Sequence, residues 1–164
     1  MALDENENKG VTIILFSGDL DKALAAFIMA TTAASMGSKV VIFFTFWGLN
    51  ILKKDNGKLS SKKLVHKMFN LFNRGGMSRL KLSKLNMGGL GTSMMKTLMH
   101  QKRMPSIEQL VSMAGELDIE FVVCTTSMEI MGLSKEDFIP QVETFAGAAT
   151  YFEQALEGKV NLFI

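Results

Sequence analysis

Two stretches, Val11-Thr-Ile-Ile-Leu-Phe16 and Val40-Val-Ile-Phe-Phe-Thr45, decide the fold of this chain. Each is an unbroken run of β-branched and aromatic residues, the pattern of a strand buried on both faces of its sheet. Gly10 and Ser17-Gly18 bound the first run, and Lys39 opens the second. Between them Asp19 is placed to cap a helix in which Leu20, Leu24, Phe27 and Ile28 recur at helical spacing. That helix is expected to run through Ala33-Ala34 and to stop at Gly37. Strand, helix and strand within about 35 residues make a βαβ unit, whose two strands lie parallel.

The same rhythm resumes at Pro105. Ser106 caps a helix carrying Ile107, Leu110, Val111 and Ala114, and Glu120-Phe-Val-Val-Cys124 is a third strand. Thr125 to Met131 reads as a short helix closed by Gly132, and Ser134-Lys-Glu-Asp137 is a further capping signature. Val142–Phe145 is expected as a short strand, Ala148 to Leu156 as a helix ending at Gly158, and Val160–Ile164 as the last strand. Five strands alternating with helices imply a three-layer α/β/α sandwich around a mainly parallel sheet. At 164 residues the chain is read as one domain, 1–164, with an insertion at about 54–104.

The insertion differs in kind from its surroundings. Between Lys54 and Arg103 there are 12 Lys or Arg residues and one acid, Asp55, whereas the rest of the chain holds 6 basic and 15 acidic residues. It opens on the turn Asp55-Asn56-Gly57 and carries Lys58, Lys62, Lys63 and Lys67 around Leu64, Met68, Leu71 and Phe72. Arg74-Gly75-Gly76 and Met87-Gly-Gly-Leu-Gly91 supply glycine hinges, and a second apolar-periodic stretch follows through Met94, Met95, Leu98 and Met99. Seven of the thirteen methionines fall here, a composition suited to adaptable contacts. The plainest reading is a helix packed over the sheet with its lysines in water; three functional readings stand beside it: a solvated lid, a docking face for an acidic partner, or a patch for anionic lipid or nucleic acid. Nucleic acid fits least, because Phe69 and Phe72 sit among the apolar positions and no stacking platform is evident; no nucleic-acid partner is expected.

Composition removes several classes of function. A single cysteine excludes an internal disulfide framework and every multi-cysteine metal motif. His66 and His100 are flanked by lysines and arginines rather than carboxylates, so no metal site is expected. Gly88-Gly89-Leu-Gly91-Thr92-Ser93 lacks a lysine at P-loop spacing, and Ser17-Gly18 lacks the spaced glycines of a dinucleotide fingerprint; no cofactor is expected. The acidic start MALDENENKG is neither a signal nor a transit peptide. The longest apolar run, Val40 to Leu49, is too short to span a bilayer, so no integral membrane segment and a cytoplasmic location are expected.

In open parallel sheets the binding crevice lies outside the carboxyl ends of the strands. Three loops meet that description: Ser17-Gly18-Asp19, Phe46-Trp47-Gly48 and Cys124-Thr125-Thr126-Ser127. A helix starting just after Cys124 would turn its free N–H groups toward the thiol and stabilise a thiolate. The hydroxyls of Thr125, Thr126 and Ser127 could support a thiolate or a terminal persulfide sulfur. Position alone leaves Cys124 either a working thiol or a small buried hydrophobe ending a strand. Trp47 either walls a pocket over the thiol or packs at a strand end. No histidine lies near Cys124 in sequence, so a Cys-His acyl transfer has no evident base, whereas sulfur transfer by a thiolate needs none.

Ile14-Leu-Phe-Ser-Gly18 with Asp19 and Lys22, Phe43-Phe-Thr-Phe-Trp-Gly-Leu49, Cys124-Thr-Thr-Ser-Met-Glu-Ile-Met-Gly132 and Gly147-Ala-Ala-Thr-Tyr151 together resemble the DsrE/DsrF-like family of small sulfur-transfer proteins. The resemblance is strongest to its DsrE2 branch, often labelled peroxiredoxin-like, and covers nearly the whole chain. It implies a five-stranded α/β/α fold, commonly oligomeric, in which a cysteine at the position of Cys124 carries persulfide sulfur. Partners would then be TusA-like sulfur carriers or rhodaneses. Some members of the branch carry further cysteines or a membrane segment, which this chain lacks. The peroxiredoxin label would need a Pro-x-x-x-Thr-x-x-Cys arrangement, and none is present.

Two classes of function follow. One is a sulfur carrier or sulfurtransferase with Cys124 as the reacting thiol and Ser17, Gly18, Trp47, Thr125, Thr126 and Ser127 binding substrate or supporting the thiolate. The other is a non-catalytic interaction module that uses the basic, Met-rich insertion.

Overall fold

A computed structural model describes residues 10–55 and 64–164. The expected turn at Asp55-Asn56-Gly57 lies in large part, and Lys58, Lys62 and Lys63 wholly, outside the described residues. In chain order the elements are β1 (Gly10–Leu15), α1 (Leu20–Ser35), β2 (Lys39–Phe44), α2 (Leu49–Leu52), α3 (Leu64–Phe72), α4 (Leu90–Gln101) and α5 (Ile107–Glu116). They continue with β3 (Glu120–Cys124), α6 (Thr125–Ile130), β4 (Thr144–Ala146), α7 (Ala148–Glu157) and β5 (Val160–Phe163). The strands form one sheet in the order β4-β3-β2-β1-β5, with every neighbouring pair parallel.

Strand alternation divides the core. Ile13 and Leu15 of β1, Val40, Ile42 and Phe44 of β2, and Phe121 and Val123 of β3 point to one face. There α1 and α5 cover them, and the fully buried Ala23, Ala26 and Ala30 let α1 lie close to the sheet. Phe27 of α1 packs edge-on to Phe121 with ring centroids 5.7 Å apart, and Phe44 meets the same ring at 5.5 Å. The opposite face carries Val41, Phe43, Val122 and Cys124 under Tyr151 and Ala155 of α7. Tyr151 Oη shares a 3.3 Å hydrogen bond with Thr12 Oγ1, whose hydroxyl donates to Asn161 Oδ1.

Two local expectations shift. The fourth strand starts at Thr144 rather than Val142, because Val142 belongs to the turn after Pro140 and its N–H donates to the Ile139 carbonyl at 3.1 Å. Asp19 occupies the N-cap of α1 without a side-chain capping bond. Its carboxylate instead accepts from Ser17 Oγ at 2.9 Å and pairs with Lys22 Nζ at 3.2 Å. Ser106 and Ser134 do form capping boxes, with Gln109 and Asp137.

At the carboxyl edge of the sheet the chain after β2 crosses the end of β1. The Gly48 N–H donates to the Phe16 carbonyl at 2.8 Å, and a Cβ on Gly48 would fall on the Leu15 carbonyl oxygen. Glycine is therefore required for the close approach rather than for its dihedral angles. The insertion is anchored just beyond. Lys53 is buried, donates from Nζ to the Asn73 carbonyl at 3.2 Å, and is pushed down to about 8 by burial, against the opposing pull of Asp137. At the head of α1, the Leu20 N–H donates to the Lys81 carbonyl at 2.8 Å, and Asp21 accepts from the N–H and Oγ of Ser83. Burial pushes the Asp21 carboxyl up, but the two Ser83 bonds and Lys22 outweigh it and hold it below its usual range.

Gly48→Ala should cost about 2–4 kcal/mol, because the clash is with backbone that cannot rotate away. Urea unfolding checks this; a loss under about 0.5 kcal/mol would mean the crossing is looser than described. Lys53 gives a pH signature. Below about 8 the lysine is charged in both states; between about 8 and 10.5 the folded chain has released a proton that the unfolded chain still holds. Its contribution to stability therefore rises with pH across that window. Relative to Lys53→Met, wild type should gain stability from about pH 7 to about pH 10, and an unchanged difference would contradict the burial of the charge.

Candidate functional site

The parallel sheet brings the three expected loops to one edge. Gly18 abuts the turn after β2 so closely that a Cβ there would stand 2.6 Å from the Trp47 carbonyl oxygen. Thr45, the first residue after β2, shares a 2.8 Å hydrogen bond between its Oγ1 and Ser127 Oγ in α6. Ser17, Gly18, Trp47 and Ser127 thus belong to one interlocked rim, with Gly48 against the Leu15 backbone as its tightest point.

Cys124 ends β3 and stands at the N-cap of α6. Its register partner is Ala146 on β4. The side chain is 7% exposed and lies on the α7 face with Phe43, Val122, Tyr151 and Ala146. Phe43 and Tyr151 form a tilted ring pair at 5.4 Å beside it. Of the three hydroxyl residues that follow, Thr126 is exposed, Thr125 is half-buried, and Ser127 is buried on its bond to Thr45. Ser17 is buried, its hydroxyl donating to Asp19 Oδ2 and accepting the Asp19 N–H at 3.2 Å. Among the described residues no cluster of three or more His, Cys, Asp or Glu could hold a metal ion.

Sequence reading did not find the role of α3. This helix of the insertion touches the tryptophan turn and the loop that follows α6. Phe69 stacks on Trp47 with centroids 6.2 Å apart and planes 27° from parallel. His66 fills the space beside Gly132, where φ is +64° and a Cβ would collide with the imidazole ring. Asn70 is fully buried and its Nδ2 donates to the Met131 carbonyl at 3.0 Å, while its Oδ1 has no partner among the described residues. So α3 bridges the tryptophan turn and the loop closing the cysteine segment. The one legible trace was an asparagine and a histidine within an otherwise apolar, cationic helix.

This edge places one thiol at a strand end, before the first turn of a helix and among the apolar side chains of the α7 face. The fold that builds it recurs in solved structures. A Methanobacterium thermoautotrophicum protein of unknown function superposes with a TM-score of 0.56, covering 95% of this chain and 99% of that one at 10% identity. The ychN protein of E. coli gives 0.55 over 95% and 99%, at 9% identity. Sequence similarity runs further. The YrkE protein of Bacillus subtilis is 40% identical over 158 residues, 96% of this chain and 98% of its own. The protein of Allochromatium vinosum named sulfur carrier protein DsrE2 is 37% identical over 167 residues, 96% and 99% of the two chains. With the DsrE/DsrF/DrsH-like family model matching residues 7–163, across all five strands and the cysteine segment, the chain belongs to that family.

Proposed function

We propose that this protein is a sulfur carrier, or sulfurtransferase, that holds persulfide sulfur on Cys124 and relays it to a partner thiol. The observation that carries this reading is the position of the chain's one cysteine at the carboxyl end of β3 and the start of α6. A family relative named as a sulfur carrier supports it. The chain would work as one DsrE-like unit, the 54–104 insertion included, in the cytoplasm.

The chemistry needs no oxidant. The Cys124 thiolate attacks the outer sulfur of a donor persulfide, R–S–SH. A new S–S bond forms, the donor's S–S bond breaks, and the donor leaves as R–S⁻ with its proton released to solvent. An acceptor thiolate then attacks the outer sulfur of Cys124–S–S⁻ and returns the Cys124 thiolate. Cys124 makes no capping hydrogen bond in the reduced state, so the N–H groups in the first turn of α6 would serve a persulfide anion whose outer sulfur reaches them. The exposed Thr126 and half-buried Thr125 add hydroxyl donors on the outer side, and Ser17, Gly18, Trp47 and Ser127 shape the rim. The apolar surroundings of Phe43 and Tyr151 keep water from a bound sulfane sulfur. Because the thiol is 7% exposed, loading requires these side chains to part.

Donor and acceptor would be proteins of the TusA-like and rhodanese kinds, which present a reactive thiol on a small domain. The chain would also self-associate: α7 leaves Phe152 and Leu156 exposed one turn apart, a face that a second copy would cover.

Incubation of the reduced protein with a low-molecular-weight persulfide donor should add the mass of one sulfur atom, removable by a dithiol and absent from Cys124→Ser. Intact-mass spectrometry reads this directly. Wild-type protein that takes up no sulfur, or a Cys124→Ser protein that still does, would overturn the proposal.

A further inference from the structure

Helix α3 is built inside out. A surface helix ordinarily buries its apolar stripe and shows its polar face to water. Here Leu64, Val65, Met68, Leu71 and Phe72 are each more than half exposed, whereas Asn70 is fully buried. Leu64 stands at 82% and Phe72 at 84%. The same inversion recurs in α4. Its buried positions are Gly91, Thr92 and Met99, and Leu90, Met94 and Leu98 face outward.

The chain between the two helices adds to the surface at a cost in backbone strain. Leu85 and Met87 both take left-handed dihedral angles, with φ of +57° and +46°, a region that bulky L-residues avoid. Both side chains are left almost wholly in solvent, at 79% and 71%. In the isolated chain no burial offsets that strain. Large apolar side chains left in solvent in such number on a folded protein mark a contact surface.

Charge indicates what the contact is. From Asn56 to Ile107 the sequence has no Asp or Glu and eleven Lys or Arg residues. Lys67, Lys81, Lys84 and Lys96 are exposed among the apolar side chains. A second copy meeting this face with its own would set cation against cation. The exposed side chains also stand outward on short helices rather than lining a groove that would grip one partner segment. Both features match an anionic bilayer: apolar side chains enter the acyl boundary while lysine and arginine stems reach back to acidic headgroups. With nine and twelve residues, α3 and α4 are too short to cross a membrane and long enough to lie in its surface. Among the described residues no helix is long and apolar enough to span.

We propose that the α3–α4 insertion seats the protein on the surface of anionic phospholipid membranes, with Leu64, Met68, Phe72, Leu90 and Met94 entering the bilayer and the basic residues at headgroup level. The site on the sheet edge is then held at the membrane surface, since α3 also carries the Phe69–Trp47 and Asn70–Met131 contacts.

Flotation of the full-length protein with vesicles tests this. Vesicles of phosphatidylcholine with about 30 mol% phosphatidylglycerol should carry the protein upward, while vesicles of phosphatidylcholine alone should carry at least about tenfold less. Phe72→Ser with Leu90→Ser should weaken partitioning about tenfold with an unchanged melting curve, as both side chains are exposed. Lys67→Gln with Lys84→Gln should weaken it by a smaller factor and flatten its dependence on salt. Protein that stays at the bottom with phosphatidylglycerol vesicles overturns the proposal. So does binding that the serine pair leaves unchanged, which would mean charge attraction without insertion. A self-associated species that the serine pair dissociates, with no vesicle binding, would assign the surface to a second copy instead.

Discussion

Everything at the working end of this protein depends on the close approach of two backbones, where Gly48 lies on the Leu15 carbonyl. Parallel strands deliver their carboxyl ends to one edge, but they do not by themselves bring the following loops into contact. The missing side chain at Gly48 lets the turn after β2 cross β1, and its N–H closes the crossing on Phe16. Gly18 meets the Trp47 backbone from the other side, and Thr45 reaches Ser127. The first turn of α6, and with it the position of Cys124, is therefore braced against β2 as well as hydrogen-bonded through β3.

The sheet has two unlike faces. The α1–α5 face holds the interlocked aromatic cluster of Phe27, Phe44 and Phe121 and the larger part of the core. The α7 face is a smaller cluster, and Cys124 belongs to it. Exposure of Phe152, Leu156 and Phe163 shows how lightly that side is covered. On the proposed function, the thiol that would take up and give up an atom belongs to the smaller of the two clusters, with the larger face as its scaffold.

Much of this was legible in residue order. Unbroken apolar runs placed β1, β2 and β3, because a strand covered on both faces leaves no polar alternation. Position at a strand end singled out Ser17, Gly18, Trp47 and Cys124, and the alternation of β3 assigns the thiol to the face opposite Phe121 and Val123. Three things were not legible. Val142 is apolar because it packs in a turn, and β propensity does not separate that from a strand. Hydroxyl groups near the cysteine in sequence differ in fate: Ser127 turns inward to Thr45 while Thr126 faces solvent, a choice made by a residue 82 positions away. Periodicity gave α3 its stripe but not its orientation. Reading the stripe as the buried face follows the usual driving force; the helix instead sits on Asn70, His66 and Phe69, contacts made with distant loops.

Cys124 is proposed as a thiol that passes sulfur onward rather than one that merely binds it. The most direct measurement is a single-turnover discharge. Protein loaded with radiolabelled sulfane sulfur is mixed with an equimolar acceptor carrying one reactive thiol, and both proteins are followed in time. Label is expected to leave Cys124 only as it appears on the acceptor, one sulfur for one. Label that stays on the protein, or leaves as free sulfide at the same rate without an acceptor, would contradict the proposal.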